Sequence, residues 1–159
     1  MKNYSESFDV VPDDLDDLNH VNNIRYVEWI QDISKKHWTQ VAPKDIKKSM
    51  IWVVRNHNIT YHKSAVLGNT ILISTFIANN KGPISTRVVE IKNKATDDLL
   101  VKAVTEWCLL DAKTFRPKRV PGEIQSLFEN NARNKKINWK ISVPADLKTF
   151  VDENALSTI

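Results

Sequence analysis

The residue types best suited to chemistry lie close together, in the short stretch 14–26. It reads Asp-Leu-Asp-Asp-Leu-Asn-His-Val-Asn-Asn-Ile-Arg-Tyr. The candidates for a catalytic role are Asp16, His20, Asn22 and Asn23. The apolar and aromatic pattern that begins at Ile24 predicts a helix. The first backbone N–H groups of a helix could polarise a carbonyl. A carboxylate, an imidazole and N–H donors in one place indicate acyl chemistry.

The elements that must position this stretch follow from the apolar periodicity of the chain. The pattern predicts a strand over 4–11, a helix from Asn22 or Asn23 to Trp38, strands over 51–63, 70–79, 84–95 and 99–111, and a short helix around 122–131. Short turns between the later strands favour antiparallel pairing. The long helix must then bury its apolar stripe against one face of the sheet. We therefore expect an α+β fold.

Composition narrows the class of protein. The chain has 159 residues, of which 42% are hydrophobic and 26% charged, as is typical of one globular domain. Its single cysteine, Cys108, excludes an internal disulfide and is consistent with a cytoplasmic location, which we expect. No run approaches the roughly 20 apolar residues of a membrane span. The net charge of +4 is spread along the chain, so nucleic-acid binding is the less favoured alternative.

The pattern Asp16-x-x-x-His20-Val21-Asn22-Asn23-x-x-Tyr26, opening a helix before four strands, resembles the hotdog-fold thioesterases that act on acyl-ACP and acyl-CoA. The resemblance covers about residues 5–125. It implies an antiparallel sheet wrapped around one long central helix. Plant-type members hold two hotdog units in one chain, whereas this chain has room for one, over residues 1–131. We therefore expect a homodimer or homotetramer, with residues 132–159 as a C-terminal extension of uncertain structure.

The same resemblance implies a hydrolase that cleaves acyl-CoA or acyl-ACP thioesters to free acid and thiol. Asp16 would act as general base or nucleophile, and the backbone N–H near Asn23 would stabilise the oxyanion. His20 could bond to Asp16, orient water or act as the base itself. Asn22 and Asn23 could position the loop, cap the helix or bind the carbonyl. Tyr26 is expected to pack beneath the loop and to contribute to substrate binding.

Cations are expected to meet the phosphopantetheine arm and the nucleotide phosphates at the surface. The candidates are Arg55, Lys81 and Arg87, because they lie near strand ends or on a strand. We expect no cofactor and no metal site, since the histidines outside the loop lack metal-ligand spacing.

Three departures from the family pattern leave an alternative open. Leu18 stands where plant-type enzymes have Asn, and Asn19 stands where bacterial relatives often have Gly. Ser64 and Ala65 occupy the region of a plant-type Cys or Glu. These changes would suit a non-catalytic module that binds acyl thioesters.

Plainer interpretations compete for the loop residues themselves. A solvated acidic turn is the alternative for Asp13, Asp14, Asp16 and Asp17. A loop-stabilising hydrogen bond is the alternative for His20, and a helix cap is the alternative for Asn22.

Overall fold

The computed structural model describes residues 3–126, which form five strands, two α-helices and, at 122–126, the beginning of a third helical segment. The elements in chain order are β1 (Tyr4–Asp9), α1 (Asn23–Val41), α2 (Lys44–Ser49), β2 (Met50–Tyr61), β3 (Thr70–Lys81), β4 (Ile84–Asn93) and β5 (Leu99–Asp111). The predicted strands and the predicted long helix are confirmed, with ends that move by up to three residues. Of the helix predicted around 122–131, residues 122–126 are helical and the remainder lies outside the described residues, as does the segment 132–159.

The strands form one antiparallel sheet in the order β1-β3-β4-β5-β2. β2 therefore pairs with β5, the last strand of the described residues, and not with β3, which follows it in the chain. Met50 lies opposite Asp111 and Tyr61 lies opposite Val101 in this pairing. β1 and β2 are the two edges of the sheet within the described residues, and β2 is the longer edge.

Helix α1 lies against one face of the sheet because its buried side chains recur at helical spacing. Tyr26, Ile30, Ile33 and His37 fall on one stripe and are at most 2% exposed. They cover the inward-facing residues of the central strands, which are Ile71, Ile73, Val89, Ile91, Val101 and Ala103. Burying each isoleucine contributes roughly 1.5–3 kcal/mol relative to leaving it in water. This packing fixes the start of α1 over one end of the sheet.

The connector after α1 differs from the prediction. No element was predicted between the long helix and the strand over 51–63, whereas residues Lys44–Ser49 form the short helix α2. Its single large apolar residue, Ile46, packs with Trp38 and Trp52 against a second part of the core. One apolar contact in six residues is too little periodicity for a helix to be predicted from the sequence.

Candidate functional site

The loop before α1 is narrow because its two sides are hydrogen bonded to each other. The Asn22 N–H donates to the Asp14 carbonyl at 2.8 Å, and the Asp16 N–H donates to the His20 carbonyl at 2.7 Å. At the tip, Asn19 has φ +58° and donates its N–H to the Asp16 carbonyl at 3.0 Å. Asparagine adopts this left-handed conformation more readily than most residues, which explains how Asn19 fills a position where glycine would serve equally well.

The two carboxylate oxygens of Asp16 have different surroundings. Oδ1 accepts hydrogen bonds from the backbone N–H of Leu18 at 2.9 Å and of His20 at 3.1 Å. Oδ2 accepts none from residues 3–126. The side chain is half-buried. One oxygen therefore holds the loop in shape while the other is available to a ligand or to water.

Helix α1 follows this loop and begins with one unused backbone donor. Asn22 is the N-cap, since its Oδ1 accepts the Ile24 N–H at 3.1 Å and its carbonyl accepts the Arg25 N–H at 2.9 Å. The Asn23 N–H makes no hydrogen bond within the described part of the chain. It lies at the positive end of the helix dipole, so it can donate to an oxygen that becomes negative. The cap interpretation of Asn22 is thus confirmed, and Asn23 supplies the free donor.

Asp14 is structural, and the solvated-turn interpretation is wrong for it. Its side chain is buried, with Oδ2 accepting the Val11 N–H at 2.9 Å and Oδ1 lying 3.3 Å from Nε of Arg25. Asp13 and Asp17 are exposed, as expected of a solvated acidic turn. Asp14 therefore fixes the entry to the loop, and Asp16 is the half-buried carboxylate within it.

Tyr26 lies buried beneath the loop, as expected, and joins it to the segment after β2. Its hydroxyl oxygen accepts the Ala65 N–H at 3.0 Å, while the Ala65 carbonyl accepts the Val21 N–H at 2.9 Å. Burial raises the pKa of Tyr26, the Ala65 N–H opposes this shift, and the negative charges of Tyr61 and Asp16 add smaller increases. Asp16 is thus close enough for its charge to be felt at the phenol. Ala65 contributes backbone groups here, which any residue at that position could supply.

His20 is placed in the loop by its backbone. Its N–H donates to Asp16, and its imidazole is on the exposed side of the loop. The ring is therefore free to meet a ligand from outside.

The three candidate cations do not gather around this loop within the one chain. Lys81 is exposed at the far end of β3, roughly 35 Å along the strand from Thr70, which adjoins the loop. Arg55 lies in the middle of β2, with its Nε 3.8 Å from the buried carboxylate of Glu106. Arg87 is 4% exposed, so the expectation that it is a surface cation is wrong. It lies on the face of β4 that α1 covers.

A buried polar group around Arg87 is the main feature that sequence reasoning missed. Nη1 of Arg87 lies 2.9 Å from Nδ1 of His37 and 2.9 Å from Oγ1 of Thr75. Burial lowers the pKa of His37 to about 3, with the charge of Arg87 acting in the same direction. Burial alone lowers the pKa of Arg87 to about 9. A guanidinium only donates, so Nδ1 of the neutral His37 accepts and its proton resides on Nε2.

Residues 3–126 contain neither a metal site nor a membrane-spanning helix. No three histidine, cysteine, aspartate or glutamate side chains there are grouped closely enough to hold a metal ion. No helix in the same range has both the length and the apolar character needed to cross a membrane.

The part of the chain that contains the loop is similar to known thioesterases. Residues 1–128 match the model of the acyl-ACP thioesterase N-terminal domain. The chain belongs to this family. It is 25% identical over 88 residues to the chloroplastic palmitoyl-acyl carrier protein thioesterase of Cuphea hookeriana, covering 55% of this chain and 21% of that protein. It thus spans about a fifth of the length of the plant relatives that it matches. It is also 26% identical over 122 residues to the long-chain acyl-CoA thioesterase FadM of Escherichia coli K12, covering 72% of this chain and 89% of that protein.

Solved structures confirm the predicted hotdog architecture. The probable thioesterase YbaW of Escherichia coli superposes with a TM-score of 0.68 at 23% identity, covering 80% of this chain and 98% of that one. The 12:0-ACP thioesterase of Umbellularia californica superposes with a TM-score of 0.69 at 15% identity, over 78% of this chain and 48% of that one. This chain therefore has the same fold, an antiparallel sheet with the long helix α1 packed against one face.

Proposed function

We propose that this protein hydrolyses acyl-CoA or acyl-ACP thioesters to a free acid and a thiol, at the loop before α1. The proposal rests on two groups that have no hydrogen-bond partner within residues 3–126. They are Oδ2 of Asp16, in the loop, and the backbone N–H of Asn23, at the start of α1. Thioester hydrolysis needs a base or nucleophile and an oxyanion donor, and these two groups are of those two kinds. Membership of the acyl-ACP thioesterase N-terminal domain family supports the substrate class.

The reaction follows from these two groups. The thioester carbonyl oxygen accepts the Asn23 N–H, so that negative charge developing on it is stabilised as the carbonyl carbon is attacked. As general base, Asp16 takes a proton from a water molecule whose oxygen bonds to that carbon. The C–S bond then breaks, and the proton passes to the departing thiolate. As nucleophile, Asp16 would instead attack the carbonyl carbon and expel the thiolate, and water would then hydrolyse the resulting acyl anhydride and supply the proton that the thiolate takes up.

The neighbouring polar residues have positioning roles in this proposal. The carboxamide oxygen of Asn22 caps α1 and so fixes the direction of the Asn23 N–H. The exposed ring of His20 orients the attacking water or meets the leaving thiol. Tyr26 holds the loop against Ala65 from its buried position, so its contribution to substrate binding in this proposal is to support the loop. Lys81 and Arg55 remain predicted contacts of the carrier arm.

A second copy of the chain is the proposed partner. β2 presents one edge of a 12-residue strand that has no neighbour within residues 3–126, with Val53 39% exposed and Tyr61 45% exposed. Such an edge is a template for pairing with another strand. Antiparallel pairing of two β2 edges about a two-fold axis brings the Tyr61 end of one copy towards the Met50 end of the other. Tyr61 contacts Tyr26, so the proposed site lies near this junction.

Charge placed on this edge tests the dimer. In Val53→Lys, two ammonium groups would meet near the two-fold axis, and we expect the apparent mass in light scattering after gel filtration to fall to that of one chain. The matched control is Ser7→Lys, which adds the same charge to the exposed face of edge strand β1. A wild-type protein that elutes as a monomer at every concentration would contradict the proposed pairing.

A catalytically silent acyl-thioester binding module is the second candidate. Two observations favour it. Oδ1 of Asp16 is already committed to the loop backbone, and Ala65 offers only backbone groups where plant-type relatives have a reactive side chain. This candidate predicts saturable binding of an acyl thioester without release of thiol.

One experiment separates the two candidates. Purified protein is incubated with acyl-CoA and acyl-ACP of several chain lengths, free thiol is followed with a chromogenic reagent, and binding is followed by calorimetry. We expect turnover on at least one chain length, and a reduced rate in His20→Ala relative to the control His62→Ala, which alters another exposed histidine. Binding without thiol release on every substrate would support the silent module instead.

The cytoplasm remains the predicted location.

A further inference from the structure

A cavity separate from the loop lies beneath the second half of α1. Its volume is about 280 Å³, and its walls include Trp38, Trp52, Trp107 and Arg87. The exposed residue Lys35 also lines it, so the cavity reaches the surface. Lys35 follows Asn23 by twelve residues, which places it about 18 Å along the helix axis from the free N–H. The cavity is therefore distinct from the proposed catalytic loop of the same chain.

The charge of Arg87 in this wall is not compensated. Its Nη1 donates to two neutral acceptors, Nδ1 of His37 and Oγ1 of Thr75. No carboxylate of the described chain lies within 4.0 Å of its nitrogens. A buried guanidinium without a carboxylate carries a large desolvation penalty, which an anionic ligand would offset. The lowered pKa of about 9 still leaves the group charged at neutral pH.

Three residues that line the cavity also carry a buried donor without a hydrogen-bond partner among the described residues. The three donors are the indole Nε1 of Trp52, the indole Nε1 of Trp107 and the hydroxyl of Ser85, each buried and unpaired in the part of the chain that the structure describes. Buried polar groups in native proteins are nearly always hydrogen bonded, so an unpaired set beside a cavity indicates a missing ligand or water. Donors together with a cation select an acceptor that carries negative charge.

We infer that this cavity binds a carboxylate attached to an apolar body, with Arg87 as its counter-charge and the tryptophans around the apolar part. A volume of about 280 Å³ accommodates about nine groups of the size of a water molecule, at roughly 30 Å³ each. An eight-carbon carboxylic acid matches this size. Lys35 adds positive charge at the surface, which favours entry of an anion.

The carboxylate has two possible sources. It is either the free acid, which is the product of the proposed reaction, or a second carboxylate at the far end of an acyl group that enters from the loop of the proposed partner copy, towards whose Tyr61 end the Met50 wall of the cavity lies. The assignment to an acyl group rests on the proposed function, whereas carboxylate binding does not.

Binding is tested without turnover, through the fluorescence of the tryptophans in the cavity. Octanoate is titrated into the full-length protein, with octan-1-ol as the probe that keeps the chain and lacks the charge. We expect saturable binding of octanoate, and a dissociation constant about 10- to 100-fold higher both for octan-1-ol and for octanoate with Arg87→Gln. The control Arg116→Gln, which removes an exposed arginine elsewhere, should bind octanoate as the wild type does.

The result that overturns the inference is equal binding of octanoate and octan-1-ol, or no saturable binding of octanoate to the wild-type protein. This comparison needs no variant, so it decides the question even if Arg87→Gln does not fold. Octanoate binding that is unchanged in a folded Arg87→Gln would also overturn the inference.

Turnover then distinguishes the two sources. If the far-end carboxylate is the occupant, Arg87→Gln lowers kcat/KM for octanedioyl-CoA about 10- to 100-fold more than for octanoyl-CoA. If the product acid is the occupant, the variant affects both substrates equally and octanoate inhibits the wild type. Absence of thiol release from both acyl-CoA substrates would refute the proposed function. The inference about the cavity would then be decided by the binding of octanoate and octan-1-ol alone.

Discussion

The buried histidine of α1 predicts a specific loss of stability in acid. His37 is 0% exposed, and its pKa falls from the ordinary histidine value of 6.5 to about 3 because burial disfavours the charged ring and Arg87 repels it. The unfolded chain therefore binds a proton between pH 6.5 and 3 that the folded chain does not. Stability is fully present above pH 6.5 and is lost as the pH falls towards 3. The total penalty is about 5 kcal/mol, at 1.36 kcal/mol for each pH unit.

The assay is urea unfolding at pH 7.5 and pH 4.5, for the wild type and for His37→Gln. Glutamine keeps an acceptor for Arg87 but does not titrate. Two pH units below 6.5 correspond to about 3 kcal/mol, so the free energy of unfolding should fall by that much more in the wild type than in the variant. The control His62→Gln, which changes an exposed histidine, should behave as the wild type does. Equal losses in wild type and His37→Gln would refute the reasoning, as would an NMR titration of His37 near pH 6.5.

Two further substitutions test the scaffold of the loop. Tyr26→Phe removes the oxygen that accepts the buried Ala65 N–H, so we expect the free energy of unfolding to fall by about 1–3 kcal/mol in urea. An unchanged value would show that Ala65 is solvated or bonded elsewhere. Asn22→Ala removes the cap of α1 and should cost about 1 kcal/mol by the same measurement. Because the cap also fixes the Asn23 N–H, turnover should fall with it, and full activity in this variant would contradict that role.

The sequence predicted most of the local structure, because local structure follows from local patterns. Alternation of apolar residues located all five strands, and the apolar stripe after Asn22 located α1. The motif also located the start of α1 at Asn23, with Asp16 in the loop that precedes it. These features depend on residues close together in the chain, so their spacing carries the information.

Long-range partners were less predictable. Alternation in β2 does not say which strand lies beside it, and the pairing with β5 brings together residues about 50 positions apart. The burial of Arg87 has the same origin, since only the tertiary packing of α1 covers it. A signal was present, because Arg87 shares its strand face with Val89 and Ile91, and a charge on an apolar face indicates a buried group. Asp14 was misjudged because the sequence does not show that Arg25 and the Val11 N–H converge on it.

The most direct test of the account is the kcat of Asp16→Asn, measured by thiol release on the best acyl thioester. Asparagine keeps an oxygen for the N–H groups of Leu18 and His20, so the loop and the melting temperature should be nearly preserved while the charge is lost. We expect kcat to fall by about 10²- to 10⁴-fold. A folded Asp16→Asn protein with wild-type kcat would show that this carboxylate is not the catalytic group.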